Sequence, residues 1–273
     1  MAHGDFPIAL LVSYHGSTAE AVVRSCHSGL LKDARISVDL VVSSSPSVDA
    51  IRFTDGIQAM KLGRQIKLPE WRIHVLDPLA HVDTKPVFID EHAYGEEVLK
   101  LCKRWNIQLL CLFGWLGPLP HAVLNAYGGR ILRQFCGPMD PGRRDFFAHD
   151  LVGPGVHAAV LWYQRTLSGI AGAGAEPTTE VVAQLLQDGD RGPVVGAAAV
   201  PLLATDNPTT LAERAMPIEH KLQIETIRRF SRGELAPRTR KAPLIPSRFH
   251  PTLDEAMAVG RTLYPVERHL LPK

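Results

Sequence analysis

The chain has 273 residues, 45% of them apolar, and its 30 basic and 28 acidic side chains leave a net charge of +2. A chain of this length can fold without disulfides or a structural metal, and the balanced charge argues against nucleic acid as a partner. Four cysteines without a CxxC pair argue against zinc ribbons and thioredoxin-like redox sites. No apolar run is long enough to cross a membrane and no signal peptide is recognisable, so we expect a cytoplasmic protein with reduced thiols, no metal and no membrane contact.

Two short apolar runs near the amino terminus predict strands that are buried on both faces. They are PIALLV at 7–12 and VDLVVS at 38–43. Between them a helical pattern begins near Ser17 and ends at Gly29, a residue type that favours a helix carboxyl terminus. Ser17 and Glu20 have the spacing of a capping box. The pattern is therefore strand, helix, strand.

The next stretch continues the alternation with less regular signals. We expect a helix over 50–61, a short strand over 71–76 and no clear element over 77–90. Apolar residues on one helical face then predict a helix over 91–105, followed by a core strand over 108–113. Strands that alternate with helices imply a doubly wound parallel sheet. Ligands bind such sheets outside the carboxyl ends of the strands.

The second half of the chain carries a loop over 137–155 that is rich in glycine, proline and charge. A small-residue stretch over 168–175 is expected to be a flexible linker. Pro217 is expected to kink or interrupt the last long helix. The predicted elements are strands over 130–135, 181–187 and 193–203, and helices over 157–167 and from Asn207 or Thr209 to about Arg232.

The composition changes at Pro237, where prolines begin to alternate with basic residues. This pattern predicts an extended basic arm to about residue 251, and such basic residues are usually solvated. A short helix follows, with Thr252 and Glu255 in capping-box spacing. We therefore divide the chain into an α/β domain over 1–236 and a proline-rich arm with a short helix over 237–273.

The turn after the first strand has the composition of an anion site. Gly16, Ser17 and Thr18 stand where a strand leads into a helix amino terminus, whose free N–H groups and dipole attract anions. The alternative is that Ser17 only caps the helix. The turn has neither GxGxxG nor GxxxxGK[ST], which argues against a dinucleotide fingerprint and a P-loop.

Several further segments, in their order along the chain, carry a resemblance to the folate-dependent formyltransferases. It extends over about residues 8–235 and is closest to the glycinamide ribonucleotide class of that family. The matching segments are VSYHGSTAEAV at 12–22, FGWLGPLP at 113–120, GGRIL at 128–132, GVHAAV at 155–160, DRGPVV at 190–195 and VPLLATDNPTTLAERAMPIEH at 200–220.

The resemblance implies a formyltransferase-type α/β fold, with a doubly wound, mostly parallel sheet, flanking helices and a carboxyl-terminal extension. It implies an enzyme of purine biosynthesis that takes a formyl group from 10-formyltetrahydrofolate, as co-substrate, to the amine of glycinamide ribonucleotide. The substrate phosphate would lie at Gly16, Ser17 and Thr18. The folate would lie against Phe113, Trp115 and Leu116, and the protein would be a monomer or a homodimer.

Formyl transfer in this family uses an Asn, a His and an Asp. The resemblance places the family Asp on Asp190, but it places the Asn on Arg133 and the His on Phe135. Arg133 can stabilise an oxyanion but cannot act as a base at neutral pH, and a phenylalanine does neither. Asp190, Arg133 and His157 are therefore the predicted catalytic residues, with His149 as a second candidate for the proton carrier.

The missing Asn and His leave other functions open. The chain could formylate another amine, hydrolyse the formylfolate, or bind its ligands without catalysis. Cys136 is a weak candidate for a nucleophile, because no matching His–Asp pair accompanies it.

Overall fold

The computed structural model of the chain describes residues 5–12, 16–43, 73–75, 82–84, 87–89, 91–115, 119–171, 178–189 and 191–266. These residues form two compact units. The first unit comprises residues 1–133, 185–192 and 223–235, and the second comprises residues 134–184, 193–222 and 236–273. None of the helices within the described part is both long and apolar enough to cross a membrane.

The elements alternate along most of the chain, as the sequence predicts. The strands are β1 (Phe6–Val12), β2 (Ile36–Ser43), β3 (Ile73–Val75), β4 (Val82–Thr84), β5 (Val87–Ile89), β6 (Leu109–Phe113), β7 (Ile131–Phe135), β8 (Thr178–Leu186) and β9 (Val194–Pro201). The helices are α1 (Ser17–Ser28), α2 (Leu30–Asp33), α3 (Glu91–Arg104), α4 (His121–Tyr127), α5 (Pro154–Ser168), α6 (Pro208–Ser231) and α7 (His250–Leu263), with a 3-10 turn at Ser247–Phe249.

The main sheet has the strand order β3-β2-β1-β6-β7-β8-β9. The pairs β1–β2, β1–β6, β2–β3 and β6–β7 are parallel, and β8–β9 is antiparallel. Leu10 on β1 lies between Val41 and Cys111, and β1 is buried on both faces, as in a helix-covered parallel sheet. The predicted doubly wound, mostly parallel sheet is confirmed.

The core of the first unit forms where α3 and α4 cover the parallel strands. Helix α3 presents the predicted apolar face, with Tyr94, Val98, Leu101 and Cys102 in the core and Trp105 packed against it. Helix α4 was not predicted from the sequence, although it buries Val123, Leu124 and Tyr127 in the same cluster. Its seven residues are too few to show a clear helical period.

The core of the second unit joins residues that are far apart in the chain. Residues of α5 pack there with Phe135, Phe146, Val182 and Val194. The carboxyl-terminal residues belong to the same cluster, in which Ile245, Phe249, Leu253, Ala256 and Met257 are buried. Within the predicted arm, Ile245 and Phe249 are thus buried in this core, whereas the basic residues Arg238, Lys241 and Arg248 are exposed, as expected.

Two predicted capping boxes are wrong. Gly16, not Ser17, is the N-cap of α1, and the Glu20 carboxylate accepts hydrogen bonds from Arg24 one turn later. Helix α7 begins earlier than predicted, with Phe249 as its N-cap and no side-chain cap. In both helices the cap is decided by where the chain turns, which tertiary packing controls.

Helix α6 tests two further predictions. Helix α6 is continuous through Pro217, so the predicted interruption is wrong, whereas the alternative of a kink stays a prediction. Packing of Leu211 and Ala215 on the neighbouring strands offsets the hydrogen bond that a proline cannot donate. The Asn207 side chain accepts from the N–H groups of Thr209 and Thr210 and caps this helix, as expected.

The predicted helix over 50–61 lies outside the described residues. An antiparallel pair, β4–β5, occupies part of 77–90.

Candidate functional site

The turn that enters α1 has the backbone form of an anion site. Gly16 adopts a left-handed conformation (φ 58°, ψ 22°), and no side chain caps the helix. The carbonyl of Gly16 accepts the first helical hydrogen bond, from the N–H of Glu20, at 3.0 Å. The Thr18 residue is buried, so it is expected to serve an anion through its main-chain N–H rather than its hydroxyl. A helix dipole directed from this end attracts negative charge.

The predicted folate-wall residues lie at the carboxyl end of the neighbouring strand. Val12 at the end of β1 is paired with Phe113 at the end of β6, so the structure brings this wall and the α1 turn to one edge of the first unit. Phe113 is only 1% exposed. Trp115 packs against the core, and its indole Nε1 has no hydrogen-bond partner among the described residues. Leu116 lies outside the described residues.

Strand β7 places on one face Arg133 and Phe135, the two positions at which the sequence is predicted to depart from the family pattern. Side chains alternate along a strand, so Arg133 and Phe135 share a face, and Gln134 lies on the other. Arg133 belongs to the first unit, where it is paired with Leu112 of β6. Burial lowers the pKa of Arg133 to about 10, so its guanidinium stays charged at neutral pH. A fixed positive charge suits an oxyanion.

Phe135 begins a chain of aromatic rings within the second unit. Its ring meets that of Phe147 edge-on at 5.4 Å, and Phe147 meets His149 at 5.2 Å. Phe135 is buried, whereas His149 is exposed. An imidazole therefore stands two rings away from Phe135, the position to which the resemblance assigns the family histidine.

His157 is more deeply buried than a helix start suggests. It is 4% exposed on α5, and its Nδ1 has no hydrogen-bond partner among the described residues. Burial lowers the pKa of His157 to about 4, so the ring is neutral at pH 7 and a weak base. Neighbouring Val156, Ala159 and Val160 are core residues. His157 therefore lies among core residues of the second unit.

Sequence reasoning missed a buried polar cluster on the other face of β7. The Gln134 side chain hydrogen-bonds Glu219 of α6, and burial raises the pKa of Glu219 to about 7 despite this bond. The Cys136 thiol donates to the Gly153 carbonyl at 3.6 Å, and burial raises the pKa of that thiol. A thiol held in its protonated form argues against a nucleophile. The available signal was the helical spacing of Glu219 from Leu211 and Ala215, which are buried on α6.

The turn after β8 is tight, and its Asp190 lies outside the described residues. On either side, the N–H of Gln187 donates to the Arg191 carbonyl at 2.7 Å, and Asp188 and Arg191 form an antiparallel bridge. A Cβ on Gly192 would lie 1.8 Å from the Leu185 carbonyl oxygen. Only glycine fits there, so the backbone of this turn is closely constrained.

The chain is similar in sequence to two curated proteins. No protein-family model matches the chain. It is 28% identical over 156 residues to the chloroplastic phosphoribosylglycinamide formyltransferase of Arabidopsis thaliana, covering 57% of this chain and 48% of that protein. It is 24% identical over 233 residues to the phosphoribosylglycinamide formyltransferase of Dictyostelium discoideum, covering 83% and 98%. The chain thus spans about half the length of the Arabidopsis relative and nearly all of the Dictyostelium one.

Solved structures show the fold. Glycinamide ribonucleotide transformylase 1 from Symbiobacterium toebii superposes with a TM-score of 0.60 at 21% identity, covering 88% of this chain and 93% of that one. A formyltetrahydrofolate deformylase from Pseudomonas syringae superposes with a TM-score of 0.58 at 14% identity, covering 84% and 62%. The chain has the fold that both proteins share.

Proposed function

We propose that this chain, whose relatives and structural neighbours point to the folate-dependent formyltransferases of the phosphoribosylglycinamide formyltransferase type, transfers a formyl group. The donor is 10-formyltetrahydrofolate, and the acceptor is the amine of glycinamide ribonucleotide, in purine biosynthesis. The structural observation that carries the proposal is the glycine-capped amino terminus of α1 at the end of the central strand β1. It suits the phosphate of a nucleotide substrate.

Binding is assigned to the first unit. The N–H groups at Gly16, Ser17 and Thr18 hold the substrate phosphate. Trp115 contacts the folate through its ring, with Leu116 beside it. Phe113 supports this wall from within the core, because its ring is buried.

The electrostatic roles in the reaction are assigned to Arg133 and Asp190. When the amine attacks the formyl carbon, the formyl oxygen gains negative charge, and a guanidinium that stays protonated can stabilise it. Asp190 is assigned to orient the proton carrier and to balance its charge. Because Arg133 replaces a neutral amide of the family, the formyl oxygen would meet a full positive charge here.

The reaction also needs a proton carrier. The attacking nitrogen loses a proton, and the folate nitrogen gains one as it leaves. His157 and His149 are the candidates. His157 is a weak base sealed from solvent, with a pKa of about 4, whereas His149 is exposed. We therefore favour His149 over the initial assignment to His157.

The first test is formyl transfer itself. Purified protein is mixed with 10-formyltetrahydrofolate, with and without glycinamide ribonucleotide, and tetrahydrofolate is followed by absorbance. Turnover that requires the nucleotide is expected. Arg133→Gln should lower kcat about 10²- to 10³-fold, as loss of an oxyanion donor does, without loss of folate binding. Arg130→Gln is the control, since that arginine is exposed and donates to the Ala126 carbonyl.

Equal kcat in Arg133→Gln and Arg130→Gln would contradict the role of Arg133. Turnover without the nucleotide would favour hydrolysis, the alternative that fits the deformylase neighbour. Folate binding with no turnover would favour a ligand-binding protein or another acceptor amine.

We further propose a cytoplasmic monomer or homodimer with reduced thiols. All four cysteines are free, although the name of the Arabidopsis relative places that protein in the chloroplast.

A further inference from the structure

Hydrogen bonds join the first part of the loop that follows β7 to the carboxyl-terminal part of the chain. We call residues 136–153 the β7–α5 loop and residues 236–266 the C-terminal segment; both belong to the second unit. The buried Asp140 carboxylate accepts the N–H of Leu244 at 2.8 Å. The Arg240 side chain donates to the Met139 carbonyl at 3.4 Å, and the main-chain carbonyl of Arg240 accepts from the Arg143 guanidinium at 2.8 Å. These three hydrogen bonds join the two segments near Asp140.

Ion pairs join the same two segments further along. Arg144 pairs with Asp254 of α7, and Arg261 pairs with Asp150 at 2.8 Å. Each pair is exposed and contributes little alone. Because they lie on both sides of His149 in sequence, they still favour one position for this part of the loop.

The C-terminal segment is itself anchored to strands of the second unit. The N–H of Arg238 donates to the Val194 carbonyl at 2.7 Å, and its guanidinium pairs with Glu180 of β8 at 3.1 Å. Arg240 pairs with the same carboxylate. Glu180 therefore connects β8 to Arg240, which connects in turn to Met139 of the loop.

The loop also has internal bonds and a packed ring chain. The Asp145 carboxylate accepts the N–H of Asp140 at 2.6 Å and that of Phe147 at 2.9 Å. Phe147 stands between Phe135 and His149. Phe135 shares its apolar cluster with residues of the C-terminal segment. The position of the His149 ring therefore depends on the position of the loop.

We propose that the C-terminal segment is a built-in clasp that holds the β7–α5 loop in one conformation before any ligand binds, with Asp140 and Arg240 as its positioning residues. The clasp follows from the contacts alone. Its consequence for catalysis, a His149 ring held in place for proton transfer, rests on the proposed function. Charge-assisted hydrogen bonds to a buried carboxylate contribute more than exposed ion pairs do, so Asp140 should matter most.

The test is amide hydrogen exchange of the full chain, read by mass spectrometry in peptides covering 138–150. Asp140→Ala and Arg240→Ala should each speed exchange there about tenfold. Asp140→Asn keeps an acceptor for Leu244 without the charge, so its exchange should lie between that of the natural chain and that of Asp140→Ala. Arg228→Ala is the control, because its ion pair with Glu225 is in the first unit and its side chain is 22% exposed against 24% for Arg240.

The clasp is wrong if exchange in 138–150 changes no more than in Arg228→Ala. It is also wrong if every peptide of the second unit speeds up equally, because that result indicates general destabilisation. Should Asp140→Ala fail to fold, Arg240→Ala decides, since its side chain is partly exposed and its truncation leaves no large cavity. If the protein transfers formyl groups, Arg240→Ala should lower kcat and leave KM for the nucleotide unchanged. If it transfers none, the exchange data still decide the clasp.

Discussion

At the scale of single residues, burial favours the neutral forms of Glu219 and His157, with opposite effects on the pH dependence of stability. Burial raises the pKa of Glu219 from 4.5 to about 7, so the folded state holds that proton more tightly than the unfolded chain does. Stability from this group is full below pH 4.5 and is lost as the pH rises through 7. Burial lowers the pKa of His157 from 6.5 to about 4, so its cost appears as the pH falls.

The Glu219→Gln variant should therefore gain stability relative to the natural chain as the pH rises. A pKa raised by this much corresponds to about 3 kcal/mol between pH 5 and pH 8, and glutamine can still hydrogen-bond Gln134. Urea unfolding at each pH measures the difference, and the contribution of His157 cancels because both proteins contain it. Glu213→Gln, an exposed carboxyl on the same helix, is the control. A constant difference across this pH range would show that Glu219 is not the group responsible.

The same scale shows the difference between a residue type and its role. The motif order singled out Arg133, Phe135 and His157, but the motif could not tell that His157 is sealed from solvent. It also could not show that Phe135 leads through Phe147 to His149. Exposure and ring contacts depend on which elements cover a side chain, and these elements come from distant parts of the chain.

At the scale of elements, Gly16 at the start of α1 is expected to affect both stability and the proposed phosphate binding. Gly16 has φ 58°, a conformation that costs about 1 kcal/mol for a residue with a Cβ. The Gly16→Ala variant should lose about that much stability. It should also bind inorganic phosphate more weakly, because a strained turn displaces the N–H groups at the start of α1. Thermal unfolding and phosphate titration measure the two effects.

Gly129→Ala is the matched control for this variant. Gly129 is also left-handed (φ 74°), has open space around its Cβ position and lies in the same unit. It should show a similar loss of stability with phosphate binding unchanged. Equal weakening of phosphate binding in both variants would mean that the α1 turn is not the anion site.

Most elements were predictable, and the failures at this scale have physical causes. Strands such as β1 and β2 are continuous apolar runs, and the face of α3 has a clear helical period, so local pattern suffices for them. The Ser17 cap and the break at Pro217 followed local preferences of about 1 to 3 kcal/mol. Tertiary packing of a long helix or a central strand exceeds such preferences.

At the scale of the whole molecule, the C-terminal segment and the rest of the second unit should unfold together. Leu253 of α7 is 1% exposed within the core cluster of that unit. Leu253→Ala should cost about 2 to 5 kcal/mol in the unfolding transition of the unit. Urea denaturation, followed by hydrogen exchange of α5 peptides, measures this loss.

Leu263→Ala, at the exposed end of the same helix and 60% exposed, is the control and should change stability little. A Leu253→Ala variant whose α5 exchange is unchanged would support the predicted division at residue 236, with 237–273 folding apart. That division remains a prediction.

The sequence by itself determined the alternation of strands and helices, the glycine turn before α1 and the family resemblance, from which the replacement of the family Asn and His is predicted. The alternation and the turn depend on residue types at short spacings. The resemblance depends on short motifs and on their order along the chain. Only the tertiary structure decided that His157 and Glu219 are buried and that Leu244 and Arg240 hold a loop about a hundred residues earlier. Burial and long-range contacts arise when distant segments fold against each other, and no local pattern encodes which segments meet.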